Sequence, residues 1–220
     1  MLIHCMPQSL MEAGYKHYYN KALKVFQVDD ITVLTPTKKA KLGTVTVNSE
    51  LQNIVNQFGD NEIAYGNNGV KFREGDRVMN IKNQYDVIDE DEKKHDIVNG
   101  DQGVIVKIDT NEKKVLIDFE FARVWIPYSG LENIVHSLAM TMHKSQGSGI
   151  PCVISIMDKS HKFQVNANLL YTAWTRARTS CIAVTQADVI NYAIGRNANM
   201  ERNTFLRELL ISGVDKYNNK

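Results

Sequence analysis

Two segments in the second half of the chain carry side chains that can bind and act on phosphate groups. The first, residues 138–147, has the sequence LAMTMHKSQG, in which polar groups follow a short apolar run. These groups are Thr141, His143, Lys144, Ser145 and Gln146. Open α/β sheets bind ligands at the carboxyl ends of their strands, and Gly147 would let the backbone approach a ligand closely. The alternative is a polar loop that merely begins a helix, with a solvated lysine.

The second segment, residues 169–178, has the sequence LLYTAWTRAR and predicts a helix. Its inward-facing residues would be Leu169, Leu170 and Ala173. Helical spacing would then bring Arg176 close to Thr172 and Thr179. An arginine held on a rigid helix can reach a phosphate across a cleft, as an arginine finger does. The alternative is a surface arginine paired with a carboxylate.

The elements around these segments predict an α/β domain. Residues 8–27 and 44–58 have helical spacing, and the short apolar run at 31–34 between them is typical of a buried parallel strand. After residue 135 we expect strands at 138–142, 152–157 and 181–185, and a closing helix at 199–212. The predicted domain therefore consists of residues 1–65 and 131–220.

Residues 66–130 have a different pattern and predict an inserted antiparallel barrel. Four short strand-like runs, RVMNIKN, GVIVKID, KVLIDF and RVWIPY, are separated by turn-rich sequence, including a hairpin signal at 109–112. Such short strands indicate a small SH3-like fold. The charged stretch at 86–96 predicts an exposed loop. The aromatic residues of this region are expected to fill the barrel core: Phe119, Phe121, Trp125 and Tyr128.

Composition narrows the function classes. The 220 residues are 43% hydrophobic with a net charge of +1, which is ordinary for a globular protein and excludes disordered and coiled-coil classes. We expect no membrane span and no signal peptide, and predict a cytoplasmic location. Residues 131–220 contain ten Lys and Arg against six Asp and Glu, so phosphate binding is expected there. Scattered cysteines and histidines predict no metal site: Cys5, Cys152, Cys181, His95, His136 and His161.

Taken together, MTMHKSQG and LLYTAWTRAR resemble the last two conserved motifs of superfamily 1 DNA helicases. The resemblance is to the RecD-like group, the exodeoxyribonuclease V alpha-subunit family. The segment TPTKKAKLGTVTVNSELQ at 35–52 resembles that group's second motor domain. The sequence KFREGDRVMNIKN, followed by VNGDQGVIVKID, resembles its SH3-like insertion. The resemblance covers roughly residues 30–185 and implies a RecA-like parallel sheet domain, of the P-loop NTPase type, with an inserted SH3-like barrel.

The resemblance also implies roles for individual residues. Arg176 would contact the γ-phosphate of ATP, and Gln146 and Gly147 would lie on the nucleotide side of their loop. The residues implied near single-stranded DNA are Thr37, Lys38, Thr141, His143 and Lys144. One position departs from the family pattern: Gly149 stands where the family usually has an acidic residue, so contact with the nucleotide on this side becomes an open question.

The phosphate-binding loop GxxxxGK[ST] of a complete motor is missing, because none of the thirteen glycines precedes a lysine. The resemblance therefore implies the C-terminal part of an ATP-dependent helicase with 5′ to 3′ polarity. ATP and Mg²⁺ would be bound mainly by an N-terminal motor domain, and the chain alone would be inactive. Nuclease or helicase subunits are further implied partners. The alternatives are a stand-alone nucleic-acid or protein binding module and the helicase portion of a conjugative relaxase.

Overall fold

The computed structural model describes residues 1–57, 61–65, 69–147 and 149–196, so the helix expected at 199–212 lies outside the described residues. The strands are β1 Leu2–Cys5, β2 Ile31–Thr35, β3 Glu62–Tyr65, β4 Val70–Arg73, β5 Arg77–Asn80, β6 Gln84–Ile88, β7 Lys94–Ile97, β8 Gln102–Asp109, β9 Lys114–Asp118, β10 Arg123–Pro127, β11 Ile134–His136, β12 Ala139–Thr141, β13 Ile150–Met157 and β14 Ala177–Thr185. The helices are α1 Met11–Ala22, α2 Thr44–Val55, α3 Ala167–Trp174 and α4 Ala187–Gly195. Among these residues, no helix is both long and apolar enough to cross a membrane.

Five strands form a parallel sheet in the order β1-β14-β13-β2-β12. The central strands β2 and β13 are buried along almost their whole length because helices cover both faces of the sheet. On one face, α1 and α2 pack against alternate residues of β13 such as Ile154 and Ile156. On the other face, α3 and α4 pack against Val153 and Met157. The predicted α/β class with a parallel sheet is therefore confirmed.

The second five-stranded sheet is antiparallel, in the order β10-β9-β8-β5-β11. The four predicted runs correspond to β5, β8, β9 and β10, and their inward side chains form a separate apolar core that includes Val78, Ile117 and Val124. The side chain of Asp109 accepts hydrogen bonds from the backbone N–H groups of Asn111 and Glu112, which closes the predicted hairpin turn. The domain boundaries at residues 65 and 131 stay a prediction.

The prediction of a loop at 86–96 is wrong, because this stretch lies within a paired hairpin of β6 and β7. Two apolar residues hold the hairpin on the barrel: Ile97 is buried and Val87 packs against the core. The carboxylate of Asp89 accepts N–H groups of Asp91 and Lys93 and closes the turn. The charged residues thus occupy the exposed side and the tip of a hairpin.

Two further sequence expectations differ from the structure, and two elements were not predicted. The helix predicted at 8–27 is α1 alone, preceded by a 3-10 turn at Gln8–Leu10, while β1 and α4 had no prediction. Of the aromatic residues expected in the barrel core, Phe119 is buried, but Phe121 is 53% exposed. Trp125 is half-buried beneath the ammonium group of Lys114, 4.7 Å from the ring centroid. Tyr128 is also half-buried, packed against the barrel core.

His161, which follows β13, predicts a loss of stability in mild acid. The residue is buried, and its Nδ1 accepts a hydrogen bond from the N–H of Asp158 at 3.3 Å. Burial lowers the pKa of His161 below 6.5, although the Asp158 carboxylate opposes this shift. The unfolded chain therefore binds a proton more readily than the folded chain, and stability falls as the pH drops below about 6.5.

We expect His161→Gln to lose less stability than the wild type between pH 7.5 and 5.5, measured by urea unfolding at each pH. His143→Gln is the control, because His143 is exposed and should leave the pH dependence unchanged. The carboxylate of Asp158 also has a lowered pKa. Its contribution to the pH dependence of stability is confined mainly to pH values below 3.8, outside the range of this experiment. Equal pH dependence in the wild type and His161→Gln would contradict the assignment.

Candidate functional site

One edge of the parallel sheet brings together the first group of predicted site residues. Strands β2 and β12 are neighbours and end at the same level, with Thr35 paired to Thr141. Thr37 and Lys38 follow β2 directly, and His143 and Lys144 follow β12. The two segments therefore meet at the carboxyl edge, as their positions after apolar strands predict.

The loop after β2 is tied to the first turn of α2. The N–H groups of Thr44 and Val45 donate to the carbonyls of Thr37 and Lys38, at 3.1 and 3.3 Å. A Cβ atom at Gly43 would lie 2.6 Å from the Lys38 carbonyl oxygen, so only glycine permits this close approach. These contacts fix the backbone of Lys38 at the sheet edge.

Lys144 is partly buried beside the barrel. Its Nζ lies 3.4 Å from Oδ1 of Asn99 and 3.9 Å from Sδ of Met79. Burial lowers the pKa of this ammonium group, and the positive charge of Lys38 lowers it further. In the part of the chain that the structure describes, no carboxylate pairs with Lys38 or Lys144. Two cations without a paired carboxylate thus lie near one another.

Both lysines line a cavity of about 500 Å³ between α2, β12 and the antiparallel sheet, together with Thr141. Thr37 and His143 lie on the same sheet edge but outside the cavity lining, and His143 is exposed. The structure thus brings together three of the five residues that the resemblance implies near single-stranded DNA.

A buried polar network joins α2 to the barrel behind this cavity. The carboxylate of Asp76, 3% exposed, accepts hydrogen bonds from the side chains of Gln52 at 2.6 Å and Asn56 at 2.7 Å. It also accepts the backbone N–H of Arg73 at 2.7 Å and lies 3.1 Å from Nε2 of His136. Asp76 had no signal in the sequence, because a lone acid in the turn between β4 and β5 belongs to no recognisable spacing pattern.

Arg176 lies at the opposite end of the sheet, and its predicted position on a helix is wrong. Helix α3 ends at Trp174, where the hydroxyl of Thr175 donates to the carbonyl of Tyr171 at 2.7 Å. The backbone then joins β14, and the Arg176 carbonyl accepts the N–H of Ile150 at 2.8 Å. Thr172, Arg176 and Thr179 therefore do not share one helical face.

The guanidinium group of Arg176 lacks a strong protein partner. Its Nε is buried with no hydrogen bond, and one Nη lies 3.5 Å from the hydroxyl of Thr175. Within the described residues, no carboxylate pairs with it. The surface ion pair that was the alternative for Arg176 is thus not present in these residues. The guanidinium group is available to bind an external anion.

The absence of a side chain at Gly149 leaves room for the guanidinium group of a second arginine, Arg178. An ideal Cβ atom at Gly149 would lie 2.6 Å from one Nη of Arg178, so any side chain there must displace this guanidinium. A carboxylate at position 149 would meet Arg178 directly. The exposed Arg178 therefore occupies the place of the acidic side chain that the resemblance leads one to expect.

Residues 142–149 connect the two ends of the sheet. Register pairs Ile150 with Ala177 at one end, and Leu34 with Ser155 near the other. Thr141 and Arg176 are therefore separated by about 20 Å along the strands, at roughly 3.3 Å per residue. Gln146 and Gly147 are exposed between these ends, and Gly147 has a positive φ of 88°.

Comparison with known protein families identifies the kind of domains that the chain contains. Residues 47–119 match the SH3 domain of ATP-dependent RecD-like DNA helicases, and residues 136–184 match the UvrD-like helicase C-terminal domain. The chain is a relative of the C-terminal region of RecD-like helicases. It is 32% identical over 179 residues to the ATP-dependent RecD2 DNA helicase of Deinococcus radiodurans. That alignment covers 81% of this RecD-like chain and 23% of the relative, so the chain spans about a quarter of that helicase.

A second relative and two solved structures extend the comparison. The RecBCD enzyme subunit RecD of Mycobacterium tuberculosis is 32% identical over 102 residues, which cover 46% of the RecD-like chain and 18% of that subunit. A Bacteroides Pif1 helicase, solved with ADP-AlF3 and ssDNA, superposes with a TM-score of 0.51 at 12% identity, covering 98% of this chain and 51% of that one. A Pif1 helicase from a study of unwinding at forked dsDNA gives 0.50 at 15% identity, with coverage of 94% and 49%. These two structures show the shared fold.

Proposed function

We propose that this chain is the C-terminal part of an ATP-dependent DNA helicase. It binds single-stranded DNA at the carboxyl edge of its parallel sheet and contributes Arg176 to hydrolysis of ATP held by an N-terminal motor domain. One observation carries the proposal. The lysine pair Lys38 and Lys144 lies at one end of the parallel sheet and Arg176 at the other, and residues 142–149 link the two ends.

The DNA-binding edge consists of Lys38, Thr141 and Lys144, with Thr37 and His143 beside them. Lysines that are not paired with a carboxylate attract phosphates, and the hydroxyl groups can donate hydrogen bonds to phosphate oxygens. The fold shared with a Pif1 helicase crystallised with ssDNA is further support. Because these contacts are made to the DNA phosphates, we expect binding that depends little on the DNA sequence.

The nucleotide edge consists of Arg176, with Gln146 and Gly147 on the connecting segment. The Nε of Arg176 is buried and has no hydrogen-bond partner in the protein. This supports a role in which the guanidinium binds a phosphate from outside this chain. When bound, ATP with Mg²⁺ would supply the γ-phosphoryl group, held mainly by the N-terminal domain with its own phosphate-binding loop. The role of this chain is to bring Arg176 to that group and stabilise the negative charge that develops there.

Residues 142–149 could couple DNA binding at one end of the sheet to ATP hydrolysis at the other. Thr141 and Lys144 contact DNA at one end of the segment, while Gly149 and Arg178 lie at the other, next to Arg176. Closure of the two motor domains on ATP would shift this segment and change the grip on the strand. Repeated cycles would move the strand, with the 5′ to 3′ polarity that the resemblance implies.

The test is the salt dependence of single-stranded DNA binding by the chain. For single strands, the slope of log affinity against log salt is about −0.7 for each phosphate contact. We expect Lys38→Gln and Lys144→Gln each to move the slope toward zero by about 0.7, measured by fluorescence anisotropy. Lys107→Gln is the control, because Lys107 is exposed on β8 and lies outside the cavity lining. Unchanged slopes in both lysine variants, or the absence of DNA binding, would contradict the proposal.

A further inference from the structure

The cavity beside Lys38 and Lys144 is mostly apolar, which phosphate binding alone does not explain. Side chains from α2, the β3–β4 hairpin and strands β11 and β12 form its walls: Val45, Tyr65, Val70, Phe72, Val135 and Met140. Its volume of about 500 Å³ lies within the ~300–1,000 Å³ range of small-molecule pockets. A backbone-only DNA contact would leave these walls unused.

Polar groups at this cavity are arranged around the apolar walls. Lys38 and Lys144 lie on one side, and Ser49 and Thr44 add hydroxyl groups from α2. Of the two other charged groups in the described lining, Lys71 pairs with Glu62 at 2.7 Å, and Glu132 is acidic. Two unpaired lysines against one glutamate therefore leave the lining with a net positive charge.

We infer that the cavity binds one unstacked nucleobase of single-stranded DNA, with the flanking phosphates on Lys38 and Lys144. A nucleobase has an apolar face and a polar edge, and a phosphate lies next to it on either side. This combination uses the walls, the hydroxyl groups and both lysines. The inference rests on the proposed DNA-binding function and adds a base-binding site to it.

Phe72 and His136 form a closely packed wall of the cavity. The ring of Phe72 is buried and stacks on His136 at a centroid distance of 4.9 Å, and His136 in turn contacts Asp76. The network behind the cavity therefore holds one wall in place before any ligand arrives. A preformed wall lowers the entropic cost of ordering a base against it.

Two exposed valines give a matched pair of variants. Val135 on β11 is 37% exposed and Val104 on β8 is 36% exposed, and both belong to the same antiparallel sheet. Val135 lines the cavity, whereas Val104 does not. Val135→Trp places a bulky side chain in the cavity without removing either lysine. Val45→Trp does the same from α2, where Val45 is 56% exposed, and serves if the first variant folds poorly.

The experiment compares two ten-nucleotide probes of equal charge, oligothymidylate and an abasic deoxyribose-phosphate oligomer, by fluorescence anisotropy. We expect the wild type to bind oligothymidylate on the order of tenfold more tightly, because base stacking adds to phosphate contact. Val135→Trp should bind both probes equally, with the abasic affinity of the wild type. Val104→Trp should keep the wild-type preference.

The outcomes separate this inference from the proposed function. Equal binding of the two probes by the wild type would leave DNA binding intact and refute the base site. A tenfold preference that persists in both Val135→Trp and Val45→Trp would place base binding elsewhere and also refute it. If neither probe binds, both the base site and the DNA-binding function fail, and an acidic peptide becomes the occupant to test.

Discussion

Replacing Arg176 with alanine, in a protein that also carries the N-terminal motor domain, is expected to lower kcat for DNA-stimulated ATP hydrolysis by on the order of 10³-fold. An arginine finger acts on charge that develops during phosphoryl transfer, so its removal affects turnover more than ATP binding. The structure supports this role because the Nε of Arg176 is buried without a protein partner. The measurement is steady-state ATPase activity at saturating single-stranded DNA.

Two controls make this result specific. Arg176→Lys keeps the charge but loses the planar fork of donors, so its activity should fall between those of the wild type and the alanine variant. Arg123→Ala removes an arginine that pairs with Asp118 on the barrel surface, and should leave turnover unchanged. Single-stranded DNA affinity should be the same in Arg176→Ala as in the wild type, because the DNA edge lies about 20 Å away. Unchanged kcat in Arg176→Ala would remove this residue from catalysis.

The parallel sheet could be predicted from the sequence because its central strands are buried on both faces. Runs such as ITVLT and CVISIM are mostly apolar, with only Thr and Ser interspersed, because helices cover both sides of the sheet. Their order along the chain, alternating with helical segments, then fixes the α/β class. Strand β1 could not be predicted in this way, because it lies at the edge of the sheet and its four residues are exposed.

The local structure at Arg176 depends on contacts that the sequence does not reveal. The residues of YTAWTRAR are compatible with a helix, but the chain leaves the helix after Trp174 to pair with β13. Pairing with a strand more than twenty residues earlier overrides the local preference. The hairpin at 86–96 is a similar case, since Val87 and Ile97 anchor an otherwise charged stretch to the barrel.

The candidate site likewise has some parts that local sequence signals predict and others that depend on contacts between distant residues. Lys38 and Lys144 could be predicted from motif resemblance and from their positions after apolar strands. The cavity beside them could not, because its walls come from α2, two hairpin strands and β11, which are distant in sequence. The network at Asp76 is equally non-local, with Gln52 and His136 lying 24 and 60 residues away.

Asp76→Ala is expected to lower the free energy of unfolding by at least about 3 kcal/mol. The substitution leaves three N–H groups without this acceptor: the backbone N–H of Arg73, one side-chain N–H of the buried Gln52 and one of the half-buried Asn56. Each unsatisfied buried group costs about 1–3 kcal/mol. The substitution also removes the group that holds α2 against the barrel. The measurement is urea unfolding followed by circular dichroism at pH 7.5.

Asp91→Ala is the matched control, since Asp91 is 76% exposed at the tip of the β6–β7 hairpin. An exposed ion pair contributes little, so this variant should unfold at the wild-type urea concentration. Asp76→Asn keeps the size of the side chain but turns one oxygen into a donor. That donor faces either the Asn56 amide, at the Oδ1 position, or the donors of Gln52 and Arg73, at the Oδ2 position. This variant should therefore be less stable than the wild type despite its matching shape. Wild-type stability in Asp76→Asn would mean that packing, and not acceptor chemistry, joins α2 to the barrel.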